Sequence, residues 1–180
     1  MADYRRSKIA GRTYFFTVVT HERRLILTTE AVRTALREAI QQARTTLPFQ
    51  IDAWVLLPDH LHCVWTLPEG DTNFSARWAI IKRHVSSRCA STAKSSPSDS
   101  RFKRNERPFW QRRFWEHQMR DDADMARHVD YVHWNPVKHG LVKAVKDWPY
   151  SSFQKYVARG VYPDNWGGGE IINVDGNFGE

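Results

Sequence analysis

The segment FQIDAWVLLPDHLHCVWTLP, residues 49–68, limits the possible folds more than any other stretch of the chain. Two apolar runs, rich in β-branched and aromatic residues, flank Pro58-Asp59, a pair suited to a turn and unsuited to a strand interior. The pattern predicts an antiparallel hairpin. Side chains alternate between the two faces of a strand. On the second run His60, His62, Val64 and Thr66 therefore point one way, while Leu61, Cys63, Trp65 and Leu67 point the other, into a core. Two imidazoles on one face of one strand are a ready-made pair of metal ligands, or two ordinary neighbouring histidines.

The flanking sequence supplies the remaining elements. RTYFFTVVT, Arg12 to Thr20, reads as a first strand. After it, Thr28 or Thr29 can cap a helix carrying Val32, Leu36, Ala39, Ile40 and Ala43 at helical spacing. NFSARWAIIKRHVSSRCAS predicts a second helix with Trp78, Ile81 and Val85 on one face. FWQRRFWEHQMR contains a short fourth strand, and DDADMARHVDYVHWN a third helix that an aspartate caps. Pro136 should end or kink that helix at Asn135, with VKHG as one more turn closed by Gly140. The order β-α-β-β-α-β-α is that of a ferredoxin-like split βαβ fold of the α+β class. It predicts an antiparallel sheet with helices on one face, the other face available, and an added C-terminal helix bearing Tyr131.

The 180 residues favour one domain. No run approaches the ~18 apolar residues of a membrane span, and the N-terminus lacks a signal-type apolar stretch, so a cytoplasmic protein is expected. Cys63 and Cys89 are the only cysteines, which excludes a cysteine metal site and makes both most simply free thiols. Charge is uneven. Asn73 to Arg113 holds eleven Lys/Arg against two Asp/Glu, within a chain of net charge +7. Part of that stretch, Thr92 to Pro108, is Ser-rich, basic and without apolar periodicity, a loop rather than a boundary. Residues 164–180 hold four acids and no base. A localised basic segment suggests a polyanion partner. Its interleaved aromatics, among them Phe102, Trp110 and Trp115, suit single-stranded nucleic acid, where rings stack bases and cations hold phosphates.

On the third helix Tyr131 and Asn135 are spaced i, i+4 and share a face, as do Arg127 and Tyr131. Breaking a phosphodiester requires a group to polarise the phosphate, a nucleophile, and a way to hold the strand. A divalent metal can do the first, a tyrosine the second through a covalent intermediate, and a basic groove the third. A tyrosine with a free pKa of about 10 needs a nearby cation or base.

HLH at the hairpin, followed by HVDYVHWNPVKHGLV, resembles the HUH single-tyrosine transposases of the IS200/IS605 type, and within them the REP-associated tyrosine transposase branch. The resemblance runs from YRRSKIAGRTYFFTVVT through DWPYSSFQKYVARGVYP and omits the loop at 92–108. It implies that His60 and His62 bind Mg²⁺ or Mn²⁺, with Asn135 as a further ligand, and that Tyr131 is the nucleophile. It implies cleavage and rejoining of single-stranded DNA hairpins, of the repetitive extragenic palindrome (REP) type, through a 5′-phosphotyrosine, by a monomer or homodimer. Charge and position nominate Arg5, Arg6, Arg77, Lys82, Arg83, Arg112, Arg113 and Lys138 as DNA contacts. Residues 1–163 are then the transposase domain, and 164–180 an acidic, Gly-rich tail that could mimic DNA and occupy the site.

Competing readings fit less well. A histidine-triad hydrolase needs a third imidazole where Val64 stands. A 2H phosphodiesterase needs two H-x-[ST] motifs, and a relaxase or replication initiator is longer. The non-enzymatic alternative is a DNA-hairpin-binding protein with a decayed site, which the presence of His60, His62 and Tyr131 disfavours.

Overall fold

The computed structural model describes residues 12–92, 108–168 and 178–179. Four strands, β1 (Thr13–Val19), β2 (Gln50–Leu56), β3 (His60–Thr66) and β4 (Trp115–Gln118), form an antiparallel sheet in the order β2-β3-β1-β4. Helices α1 (Glu30–Thr46) and α2 (Phe74–Arg88) cross one face. This is the expected split βαβ arrangement. The β2–β3 hairpin turns at Pro58-Asp59, with Leu56 opposite Leu61.

The alternation on β3 holds residue by residue. Leu61, Cys63 and Trp65 join Tyr14, Phe16 and Val18 of β1 under α1 and α2. There Trp65 stacks on Trp78, with ring centroids 4.3 Å apart, and contacts Phe16 and Phe49. Asn73 caps α2 by accepting a hydrogen bond from the Ala76 amide.

The opposite face is covered rather than available. Helix α3 (Asp122–Lys138), a 3₁₀ turn (Val145–Asp147) and helix α4 (Phe153–Ala158) bury Phe15, Ala53, Val55 and Val64. The Asp121 carboxylate caps α3 at the Asp124 amide. The helix does not stop at Asn135. It runs through Pro136 to Lys138, at the cost of the one hydrogen bond that proline cannot donate. Gly140, with φ +67°, then closes it: the Gly140 amide donates to Val137 O and the Leu141 amide to Pro136 O.

The segment after α3 returns to the β2 edge. Leu56 N donates to Tyr150 O, Ser152 N to Trp54 O, and Trp54 N to Ser152 Oγ. His133 of α3 reaches the same serine, Nε2 to Oγ at 2.8 Å, and Tyr162 donates to Asp130 at 2.5 Å. Burial pushes the His133 imidazole down to about 3 and raises the Asp130 carboxyl. The first tail residues pack down, Trp166 stacking on Tyr162 and Asp164 pairing with Lys146. Among the described residues no helix is long and apolar enough to cross a membrane.

Candidate active site

Strand β3 and helix α3 bring His60, His62 and Tyr131 together on the covered face, with Asn135 buried one turn further along α3. The His60 and His62 rings lie 4.9 Å apart, and His62 packs against Tyr131 at 5.2 Å, edge to face. All four residues are at most 2% exposed. Alternation puts both imidazoles on this face, and the i, i+4 spacing puts Asn135 one turn beyond Tyr131.

Hydrogen bonds fix the tautomer of each imidazole. Asp59 Oδ1 lies 2.6 Å from His60 Nδ1, so this nitrogen carries the proton and donates to the carboxylate. Burial works to raise the Asp59 carboxyl, but His60 and Arg23, 3.0 Å away, hold it below the usual carboxylate range. Thr17 Oγ1 donates its own proton to Phe178 O, at 2.6 Å, so it accepts from His62 Nδ1, at 2.9 Å. Each ring therefore offers Nε2 as its lone-pair atom. Imidazoles oriented through Nδ1 by a carboxylate or hydroxyl are the arrangement that supports metal ligation. The donor set, two imidazoles with a buried amide, fits a divalent cation.

Two further groups bear on the tyrosine. Lys138 Nζ donates to Tyr131 Oη at 2.8 Å and lies 4.7 Å from the ring centroid. The Phe178 ring stacks on Tyr131, centroids 3.7 Å apart and planes at 10°. Of the described tail residues, Phe178 thus brings an aromatic ring and a carbonyl to the site, while Glu170, Asp175 and Glu180 lie outside the described residues. Gly179 follows, where a Cβ would fall 2.4 Å from the Trp115 ring, so the chain can pass only as glycine.

The nominated DNA contacts divide. Arg83, Arg112 and Arg113 are exposed. Lys82 is half-buried, and its amine ties α2 to Gln111 O. Arg77 is corrected: it is fully buried, donating to the carbonyls of Leu47, Pro48 and Asn73 and pairing with Asp71 at 2.6 Å. Its guanidinium joins the end of α1 to the start of α2 and does not face DNA. Arg5, Arg6 and nearly all of the 92–108 loop lie outside the described residues.

Sequence reasoning missed Thr17, His139 and the role of Asp59. His139 brings a third ring to within 5.1 Å of His60. Its signal was its place just after the tyrosine helix motif. Asp59 was visible only as a turn residue.

A second cluster, His117, Asp124 and His128, also has ligand-type atoms close together. Asp124 is already satisfied there. It accepts from the Arg120 amide and guanidinium, from Arg127 and from His117, at 2.7–3.2 Å. A cation would have to displace two guanidinium groups. The cluster instead fastens α3 to β4.

Comparisons with known proteins identify the family. A family model described as Transposase IS200 like matches residues 9–135. The REP-associated tyrosine transposase of Escherichia coli K12 is 47% identical over 168 residues, covering 93% of this chain and 92% of that protein. This chain belongs to the REP-associated tyrosine transposases of the IS200-like family. A Haemophilus influenzae protein, named as a putative member of the same group, is 41% identical over 99% of this chain and 100% of its own length. The solved structure of a REP-associated tyrosine transposase bound to a REP hairpin matches with TM-score 0.79 and 45% identity, covering 96% of this chain and 94% of that one. The tyrosine transposases, as a family, are enzymes that cleave and rejoin DNA.

Proposed function

We propose that this transposase is a metal-assisted endonuclease and strand transferase acting on single-stranded DNA at REP-type hairpins, with Tyr131 as nucleophile. The observation that carries the reading is the Tyr131 side chain packed against His62, in a cluster whose two imidazoles both present Nε2. The solved relative bound to a REP hairpin supports the choice of DNA.

His60, His62 and Asn135 would hold Mg²⁺ or Mn²⁺, which when bound supplies Lewis-acid polarisation of the scissile phosphate. The chain's own groups do the rest. Asp59 and Thr17 keep the imidazoles in the ligating tautomer. Helix α3 aims the phenol. Attack by the Tyr131 oxygen forms a bond to phosphorus and releases a 3′-hydroxyl, leaving a 5′-phosphotyrosine. Attack by a 3′-hydroxyl on that ester reverses the step and rejoins DNA. Exposed Arg83, Arg112 and Arg113 hold phosphates outside the site. Residues 1–163 form the catalytic unit, and 164–180 a tail whose Phe178 must leave Tyr131 before DNA can enter. The protein would work in the cytoplasm, on the nucleoid.

The test is a labelled single-stranded REP hairpin incubated with wild type and Tyr131→Phe, with Mg²⁺, Mn²⁺ or chelator, and resolved on a denaturing gel. A metal-dependent protein–DNA adduct, absent from Tyr131→Phe, is expected. Binding without an adduct under every condition would leave a DNA-hairpin-binding protein.

A further inference from the structure

We propose that Lys138 is a catalytic residue that holds the Tyr131 oxygen and balances the negative charge it carries as it attacks and as it leaves. The proposal rests on Tyr131 being the nucleophile. It moves Lys138 from the phosphate-contact set, where its charge alone had placed it, to the reacting atom.

The geometry is specific. The amine sits 2.8 Å from Tyr131 Oη, and it lies 4.7 Å from the ring centroid, so the lysine stem folds back along its own helix toward the phenol. Positions 131 and 138 are seven residues apart, two helical turns, and therefore share a face. This contact requires α3 to continue past Pro136, and Gly140 secures that last turn. The other sides of the phenol ring are taken by Phe178, Phe15 and His62, so Lys138 is the cation that the structure shows at the oxygen. An ammonium is a compact charge with three donors. It can keep one hydrogen bond on the phenol oxygen through the whole displacement.

The chemistry balances without a further reagent. The phenol proton passes to water. The oxygen lone pair forms the new bond to phosphorus, and the bond from phosphorus to the 3′-oxygen breaks with its electron pair. That oxygen takes a proton from water. Lys138 keeps its own protons throughout. In rejoining, the same ammonium stabilises the departing phenolate, so one residue serves both directions. A single donor aimed at a developing oxyanion contributes on the order of 10²-fold in rate.

Lys138 is exposed on the last turn of α3, so substitution there should leave the fold intact. The experiment measures single-turnover adduct formation at saturating hairpin DNA, and hairpin affinity separately, for wild type, Lys138→Met and Lys138→Arg. The expected result is a loss of about 100-fold in the saturated rate for Lys138→Met, with partial recovery in Lys138→Arg and affinity within about threefold of wild type. Replacing Tyr131 by 3,5-difluorotyrosine, whose oxyanion is intrinsically more stable, should narrow the gap between wild type and Lys138→Met. Weakened affinity with an unchanged saturated rate would make Lys138 a phosphate contact and overturn the proposal. An equal loss in both lysine variants that fluorination does not narrow would make it a structural support and overturn it too. An adduct that persists in Tyr131→Phe would instead remove the nucleophile assignment beneath it.

Discussion

The two faces of the sheet are built to different rules. Under α1 and α2 the contact is dry: Tyr14, Phe16, Leu61, Cys63, Trp65 and Trp78 interlock with no charged group among them. The buried cation at that layer's edge, Arg77, is consumed by carbonyls and Asp71. Under α3 the sheet presents His60, His62 and Thr17 among Phe15 and Val64, and the helix answers with His128, Tyr131, His133 and Asn135. The same strands serve both, because alternation lets β1 and β3 send apolar residues one way and chemistry the other. The first face contributes stability. The second is stable only as far as each polar group has a partner, and those partners fix ring orientations and proton positions.

Substitutions on the dry face should produce the largest stability effects. Trp65→Ala removes the ring at the centre of contacts to Phe16, Phe49 and Trp78, and should cost about 3–5 kcal/mol, read as a lower midpoint in urea unfolding. A loss below about 1 kcal/mol would mean that this face is not the main source of stability.

The polar face should reveal itself through acid. Burial holds His133 neutral down to about 3, against an ordinary value of 6.5. Above about pH 6.5 both folded and unfolded histidine are neutral, and the fold has its full stability. As pH falls below that, the unfolded chain binds a proton that the fold refuses. Stability should drop by about 1.4 kcal/mol per pH unit from this residue. Burial depresses His128 in the same direction. Unfolding between pH 6.5 and 5 lies above the range where unperturbed carboxylates titrate, and His133→Gln should flatten the slope. An unchanged slope in that variant would assign the acid sensitivity elsewhere.

At the site itself stability and activity should separate. In His62→Asn the side-chain amide can still donate to Thr17, so stability should change by less than about 1 kcal/mol, while adduct formation disappears. The smallest structural effect belongs to Phe178→Ala, which removes the ring stacked on Tyr131. The unfolding midpoint should hardly move and adduct formation should rise. A slower reaction would show that Phe178 supports the active tyrosine instead of covering it.

Much of this division was legible in the sequence. Period-2 alternation on residues 60–66 assigned each side chain to its face, and the i, i+4 spacing of Tyr131 and Asn135 put them on one side of the helix. Local patterns carry that information. Arg77 was misread because charge predicts exposure on average, and nothing local reveals that the ends of two helices turn their carbonyls toward it. The covered second face was missed for a related reason: the segment after Gly140 has little periodicity, and its packing depends on long-range partners such as Trp54 and His133. Continuation of α3 through Pro136 runs against the residue's intrinsic preference, and burial of Pro136 and Asn135 overrides it.

Helix α3 is fastened at three points: to β4 through Asp124 and His117, to the β2 edge through His133 and Ser152, and to the segment after α4 through Asp130 and Tyr162. On such a support Tyr131 has no arm to swing. A DNA end joined to Tyr131 would stay above the two histidines, facing the hydroxyl it had just released. Resealing the original strand would then need no motion of the protein, and any exchange would require the incoming strand to travel. The rigidity of one helix would thus set the protein's default outcome as repair of its own cut.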